Sequence, residues 1–571
     1  ELEVEGKDEA GNVGSASSAI IRGRPNPAGG GCECSVDGQG DSKAPFSALL
    51  LLAVFVLYRR RGASVARKEA RAPRGRTFRN LMRGGFFLNV LLPFALALGG
   101  CDCGGDDDGP MTDGTTPDGG PTGDMGPPPP LEPGLLATHL DMVAQADGTL
   151  VIAGYSPGNP TRQPYGDLVV GTWDSGTETV DWEIVDGAPD GPVTNEPGWR
   201  DGVAAPGDDV GRWASIIATD SGVAVAYYDQ TNGALKFASG TPGGTWSVHE
   251  VDAEGDAGRY ASLVATDSGV AVAYMATTAA TEAPGPPMGI VRVASASGTP
   301  TGATDWTITE VFSKAIPCRA ALCGSGVCRE DGQCIAESGD CMDACASDEA
   351  CFEGSCGTIF DEDYVEAYPE AIGLYASLAT TSTGLGVVWY DRTEGNLYGA
   401  VFDGSSWAEP FLVDGYGVSD LGIGDSGLAA SLEVDAADVW HVTYVDGAEE
   451  NLRYARIEGG AVMTEIVDNG TSDGTTMHSD GRHIIGDDSA VAVTDGGEVR
   501  VAYQDATSGV AMFARRGGDG TWTISVADEG QGFAGFFTDQ VLIGNTSFVA
   551  HWWRVETLGA RENGVSVVSI D

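Results

Sequence analysis

Beyond residue 100 the chain is almost without lysine: only Lys236 and Lys314 remain. That stretch holds 18 basic residues against 74 acidic ones, whereas residues 1–100 hold 14 against 9. A surface this negative repels phosphate backbones and anionic headgroups, which excludes nucleic acid as a partner. Histidine is scarce, with six in 571 residues. No serine-nucleophile elbow, zinc-helix motif or phosphate loop occurs, so no catalytic residue is assigned. His478 and His483 lie close in sequence, but as loop histidines they read as surface residues rather than metal ligands. The apolar run 45–58 is short of the roughly 20 residues of a membrane-spanning helix.

What is present in quantity is glycine, 84 copies, inside a phrase that recurs. Gly211-Arg212-Trp213-Ala214-Ser215 returns as Gly258-Arg259-Tyr260-Ala261-Ser262, then as Gly373-Leu374-Tyr375-Ala376-Ser377, then as Gly427-Leu428-Ala429-Ala430-Ser431. Each copy opens an apolar segment ending near Tyr-Asp, then a short strand, then often Gly-x-Trp. A period of about 40–50 residues built from four short strands predicts a β-propeller blade. The clearest unit predicts strands at Trp213–Thr219, Val223–Tyr228, Ala234–Ala238 and Thr245–Val251. Further blades start at Arg259, Leu374, Leu428 and Asp488, and an earlier one runs from Asp141 to Val185. The last unit, Thr538–Ile543, Ser547–Arg554 and Val565–Ile570, lacks an outer strand. Leu135–His139 is the expected donor, closing seven blades by a clasp. Six blades and a stray hairpin are the alternative. The fold class is therefore all-β, a propeller over 131–571 with a cysteine-rich insert at 318–356.

Recurring polar and aromatic residues have structural readings first. Trp182, Trp246, Trp306, Trp407 and Trp522 are expected to pack between blades. Asp229, Asp391, Asp446 and Asp505 are expected to cap hairpins through backbone amides. Calcium is the one cation such carboxylates suit, although their spacing follows no known calcium loop. No metal site is assigned. The functional candidates stand where blades begin: Asp209, Asp256, Asp425 and Asp488, with Arg212, Trp213, Arg259, Tyr260 and Tyr375. In a propeller these positions gather at one mouth of the central channel, where they would form a polar-ligand site. Replacing Arg259 or Tyr260 by alanine should then abolish ligand capture and leave the fold intact.

Cys318, Cys323, Cys328, Cys334, Cys341, Cys345, Cys351 and Cys356 are even in number and crowded into a segment with almost no apolar core. They predict four disulfides in an oxidising compartment, with the connectivity open. Zinc is the rival reading, weakened by the lack of Cys-x-x-Cys and of histidine.

The first hundred residues read as addresses. Residues 1–31 resemble the last strands of an immunoglobulin-like domain and a linker. Over 32–61, Cys32 and Cys34, a Gly/Asp spacer, the apolar run 45–58 and Arg59-Arg60-Arg61 resemble the MYXO-CTERM sorting tail of myxobacterial surface proteins. After a basic linker at 62–81, Met82-Arg83-Gly84-Gly85, the apolar Phe86–Leu98 and Leu98-Gly99-Gly100-Cys101 resemble a bacterial lipoprotein signal peptide. That resemblance implies cleavage before Cys101 and acylation of its thiol; an internal transmembrane helix is the alternative. A sorting tail followed by a start suggests two gene products joined, with Met82 the true start of the second. Residues 101–130, rich in Gly, Asp and Pro, form a disordered tether.

These readings give a monomeric, lipid-anchored extracytoplasmic binding module, on the outer-membrane surface or in the periplasm. Its ligand would be a glycan, peptide or partner protein, with no cofactor beyond calcium. The alternative is a sialidase-like glycoside hydrolase. Gly243-Gly244-Thr245-Trp246, Asp403-Gly404-Ser405-Ser406-Trp407 and Asp519-Gly520-Thr521-Trp522 resemble degenerate Asp-box turns of that family. The resemblance implies three converging arginines, a Tyr–Glu pair and an acid aspartate.

Overall fold

The second strand of each repeat is apolar almost throughout, and a strand buried on both faces must have a sheet on either side. The computed structural model shows that arrangement. Gly222–Asp229 is buried along all but its first residue, and Leu150–Ser156, Trp440–Asp446 and Val499–Asp505 along their whole length. The outer strand Trp522–Asp528, by contrast, is largely exposed. The chain divides into two units, Glu1–Thr116 and Pro117–Asp571. The structure describes residues 2–7 and 13–18 of the first. Of the second it describes 137–571 apart from 158–165, 189–206, 282–284, 361–368, 416–423, 472–482, 531, 558–559 and scattered positions between 320 and 353. In the first unit Leu2–Lys7 pairs antiparallel with Val13–Ser18. The sorting tail with Cys32, the lipobox with Cys101 and the tether lie outside the described residues.

The second unit is a seven-bladed propeller. Its inner strands are Thr138–Ala144, Val210–Thr219, Asp256–Thr266, Ile372–Thr381, Ser426–Val434, Ile485–Val493 and Phe533–Ile543, which open blades 1 to 7 in chain order. Each heads an antiparallel meander of four strands, except the seventh, which has three. Blade 2 adds Gly222–Asp229, Ala234–Gly240 and Trp246–Asp252, close to the predicted strands.

Seven apolar clusters, one per junction, close the circle. Phe237 of blade 2 packs with Leu263 and Trp306 of blade 3, for example, and Leu140, Met142 and Ile152 of blade 1 pack with Ala550, Phe548 and Trp552 of blade 7. Burying each such side chain contributes about 1.5–3 kcal/mol, and every blade needs both neighbours to do it.

The clasp is corrected. Thr138 and His139 belong to the innermost strand of blade 1, and Leu135 lies outside the described residues. Among the described residues the seventh sheet ends at Ala560–Ile570. Blade 7 meets blade 1 face to face instead, where Trp173 lies 6.0 Å from Phe548 and Trp182 joins the same cluster.

The insert forms Cys318–Cys328, Cys323–Cys334, Cys341–Cys351 and Cys345–Cys356, two consecutive units of interlaced bridges. It is tied to blade 3 by a backbone bridge between Gly285 and Cys334, and Leu322 packs in the cluster that holds Tyr260 and Tyr390. That contact places it on the face where the repeated phrase lies.

Candidate functional site

The recurring phrase is a bulge. In blade 2 the register between inner and second strands shifts twice, between Val210 and Arg212 and between Arg212 and Ser215. Gly211 takes φ 106°, and a Cβ there would stand 2.7 Å from the Leu168 backbone of blade 1, so only glycine lets the strands approach this closely. Two residues on, Trp213 is left-handed, with φ 51°. The same conformation recurs at His139, Tyr260, Tyr375, Ala429 and Phe537, with φ between 50° and 53°. A left-handed bulky residue costs on the order of 1–3 kcal/mol, and here the fold holds six residues so. The bulge sends alternate side chains opposite ways: the phrase's second residue goes to the blade junction, its third toward the axis.

The third residues line a cavity of about 460 Å³ at the channel mouth. Around it, in blade order, stand Phe537, His139, Trp213, Tyr260 and Tyr375, then Ala429 and Asp488. The five rings form a continuous ladder, with centroids 4.7, 5.3, 4.8 and 4.8 Å apart. Such offset and edge contacts each add about 0.5–1.5 kcal/mol beyond burial. Burial, then the charge of Arg212, pushes the His139 pKa down to about 3, so the ring is a neutral aromatic at ordinary pH.

The other predicted site residues turn away from the axis into ion pairs. Arg259 is buried and bonds Asp256 at 2.8 Å, with its guanidinium 5.3 Å over the Tyr228 ring. The Tyr228 hydroxyl donates to Asp256 at 2.7 Å. Arg212 meets Asp209 at 3.5 Å, and Tyr155 of blade 1 donates to Asp209 at 2.8 Å. Asp425 accepts the Tyr390 hydroxyl of blade 4. These carboxylates therefore clamp one blade to the next. Of the nine residues predicted, the structure brings Trp213, Tyr260, Tyr375 and Asp488 together around the cavity, and leaves Arg212, Arg259, Asp209, Asp256 and Asp425 at the junctions behind it.

Sequence reasoning missed the cavity's other components. His139 and Phe537 complete the ladder; Thr138-His139-Leu140-Asp141 and Phe536-Phe537-Thr538-Asp539 are the phrase with an acid in place of serine. In the phrase that serine is a latch. Ser215, Ser262, Ser377 and Ser431 each accept the backbone N–H of the next blade, at Leu263, Leu378, Leu432 and Val491, over 3.0–3.2 Å. Asp539 accepts Met142 N–H and Asp141 accepts Ile216 N–H, both at 2.8 Å. The seventh junction, where Ala490 has no side-chain acceptor, reverses the arrangement: the Gln540 amide donates to the Ala490 carbonyl at 2.6 Å. Asp141 and Asp539 are half-exposed by surface yet densely surrounded by protein. Burial raises both pKa values, and for Asp539 the neighbouring Asp141 charge raises it further, which favours a proton between them.

The structural readings of the rim residues hold where the structure describes them. The indole N–H groups of Trp246, Trp306, Trp407 and Trp522 donate to Glu183, His249, Thr309 and Glu465 of the preceding blade. Asp229, Asp391, Asp446 and Asp505 accept the amides of their own hairpins. His483 is corrected: it is buried, with Nδ1 2.6 Å from Asp505, rather than a surface residue, and His478 lies outside the described residues.

No family model and no curated protein matches the chain. Among solved structures it is similar to a Penicillium chrysogenum alpha-L-arabinanase complexed with arabinobiose, at 9% identity and TM-score 0.37, over 76% of this chain and 93% of that one. It is similar to a Fusarium graminearum GH93 alpha-L-arabinofuranosidase with arabinobiose at 10% identity and TM-score 0.37, over 76% and 92%. A Trypanosoma rangeli sialidase mutant displaying trans-sialidase activity matches at 10% identity and TM-score 0.32, over 76% of this chain and 54% of that one. Likeness at this level carries nothing about chemistry.

Proposed function

We propose that the chain is a lipid-anchored extracytoplasmic propeller whose channel mouth recognises a glycan, a peptide or a partner protein. The observation that supports it is the ladder of five aromatic rings around a cavity of about 460 Å³, within the range of small-ligand sites. Six left-handed residues hold these positions against the backbone's preference, and local strain of this kind gathers at ligand clamps. The anchor rests on Met82–Leu98 and the lipobox ending at Cys101.

The hydrolase alternative calls for three arginines converging on the mouth with a Tyr–Glu pair. Among the described residues the cavity lining includes neither arginine nor glutamate, and Arg212 and Arg259 are engaged in junction pairs.

Glycan and peptide arrays probed with the full chain test the binding reading. Capture that is lost in Tyr260→Ala and Trp213→Ala supports the site, and capture indifferent to both removes it from the mouth. Mass spectrometry of the native amino terminus tests the anchor, with an acylated Cys101 expected and a terminus upstream of Cys32 refuting it.

A further inference from the structure

We infer that the channel mouth takes an organic cation, a quaternary or methylated amine; this rests on the binding reading above and specifies its ligand class. The aromatic ladder is an arc, not a closed ring. Five consecutive blades supply a ring, the next supplies Ala429, and the last supplies Asp488. Counting blades in either direction, Asp488 is three places from both Trp213 and Tyr260, so it stands across the axis from the middle of the arc. Its carboxylate is fixed there by accepting Phe537 N–H at 2.7 Å. Ala429, beside it, leaves the arc open where a sixth ring would crowd the carboxylate.

Two elements of the described wall suit positive charge, the rings and a carboxylate. The faces of Trp and Tyr rings carry negative quadrupole density, which draws an ammonium group placed within about 6 Å. Asp488 adds a carboxylate. Among the described residues no lysine or arginine lines it, and His139 stays neutral. The surrounding chain holds 74 acidic residues against 18 basic ones beyond residue 100, a field that draws cations toward the mouth. An anionic ligand would meet no cationic donor among the described lining residues. A neutral ligand would use the rings and donate a hydroxyl to Asp488, but would bring no opposite charge to it. An alkylated ammonium uses both, because its methyl groups pack on the rings while its charge faces Asp488.

The experiment is calorimetric titration of the full chain with choline, with its uncharged carbon isostere 3,3-dimethyl-1-butanol, and with a neutral methyl glycoside. The expected result is saturable choline binding, with the isostere at least about tenfold weaker. Added sodium chloride should weaken the choline interaction. Asp488→Asn keeps an oxygen for Phe537 N–H but removes the charge, and should weaken choline binding about tenfold without moving the thermal midpoint. Equal binding of choline and the isostere, or binding of the glycoside alone, overturns the cation assignment and leaves the binding reading standing. Silence from all three probes also overturns it, and arrays that are silent too overturn the binding reading with it.

Discussion

Arg259→Ala separates a clamp from a ligand contact. The sequence pattern puts Arg259 beside Tyr260 and suggests a shared role, but the bulge points them in different directions. The Arg259 side chain is 2% exposed and its partner Asp256 28% exposed. Breaking a fully buried pair by deleting one partner costs about 3–5 kcal/mol. Here Asp256 keeps the Tyr228 hydroxyl and some water, which lowers the cost; the lost guanidinium–Tyr228 contact and the emptied volume raise it again. The expected loss is about 3 kcal/mol. Arg212→Ala is the internal control. Its side chain is 24% exposed, its ion pair is longer, at 3.5 Å, and its guanidinium lies 4.9 Å over the Tyr155 ring, so the expected cost is about 1–2 kcal/mol. Urea unfolding of both variants and the parent, followed by tryptophan fluorescence and circular dichroism, gives the comparison. The reasoning is refuted if Arg259→Ala costs no more than Arg212→Ala. The earlier expectation that Arg259→Ala abolishes capture and leaves the fold intact is thereby reversed, and Tyr260→Ala becomes the ligand-site probe.

Other perturbations have equally definite outcomes. The pKa values of Asp141 and Asp539 are raised in the fold, so their junction is strongest below the ordinary carboxylate pKa and weakens as pH climbs through the raised values. Asp539→Asn, whose amide N–H replaces the shared proton, should gain stability over the parent between about pH 5 and pH 8 in parallel melts; a difference independent of pH would count against a shared proton. Trp246→Phe keeps a six-membered ring but loses the bond to Glu183 and part of the indole packing, and should cost about 1–3 kcal/mol in urea unfolding. Deleting 538–571 removes blade 7 almost entirely and exposes the faces of blades 1 and 6; aggregation in size-exclusion chromatography is expected, and a soluble cooperative fold would contradict ring closure at that junction. Non-reducing peptide mapping should recover Cys318–Cys328 and Cys345–Cys356.

The blades were legible because strand alternation and turn residues repeat. Ala234–Ala238 was predicted and Ala234–Gly240 is found, a difference only in where the hairpin to Trp246 begins. In blade 1 the pattern hides the start of the inner strand, because Ala137 stands where the other phrases have glycine. The room is made instead across the pair, where a Cβ on Gly154 would lie 2.9 Å from the Ala137 Cβ. A motif search keyed on glycine passes over a site whose glycine has moved to the partner strand. With the strand start hidden, Leu135–His139 looked free to serve as a clasp. The arginines were misplaced for a related reason: neighbours in a phrase look equivalent until a bulge turns them apart. The disulfide pairing was closed to sequence because any of the eight cysteines could reach several others. The acid pair was hidden because aspartate replaces serine at only two of seven junctions, and one carboxylate looks like any other in so acidic a chain.

The direct closure of blade 7 on blade 1 has a mechanical consequence. Among the described residues the ring begins at Thr138, on the innermost strand. A pull applied at Ala137 is therefore delivered beside the axis, not to a strand on the rim. To peel that strand away, the force must break the Met142–Asp539 bond on one side and the Asp141–Ile216 bond on the other before any outer strand is loaded. The same two carboxylates, whose pKa values burial raises, thus carry the first load, so the force at which the ring opens should itself depend on pH.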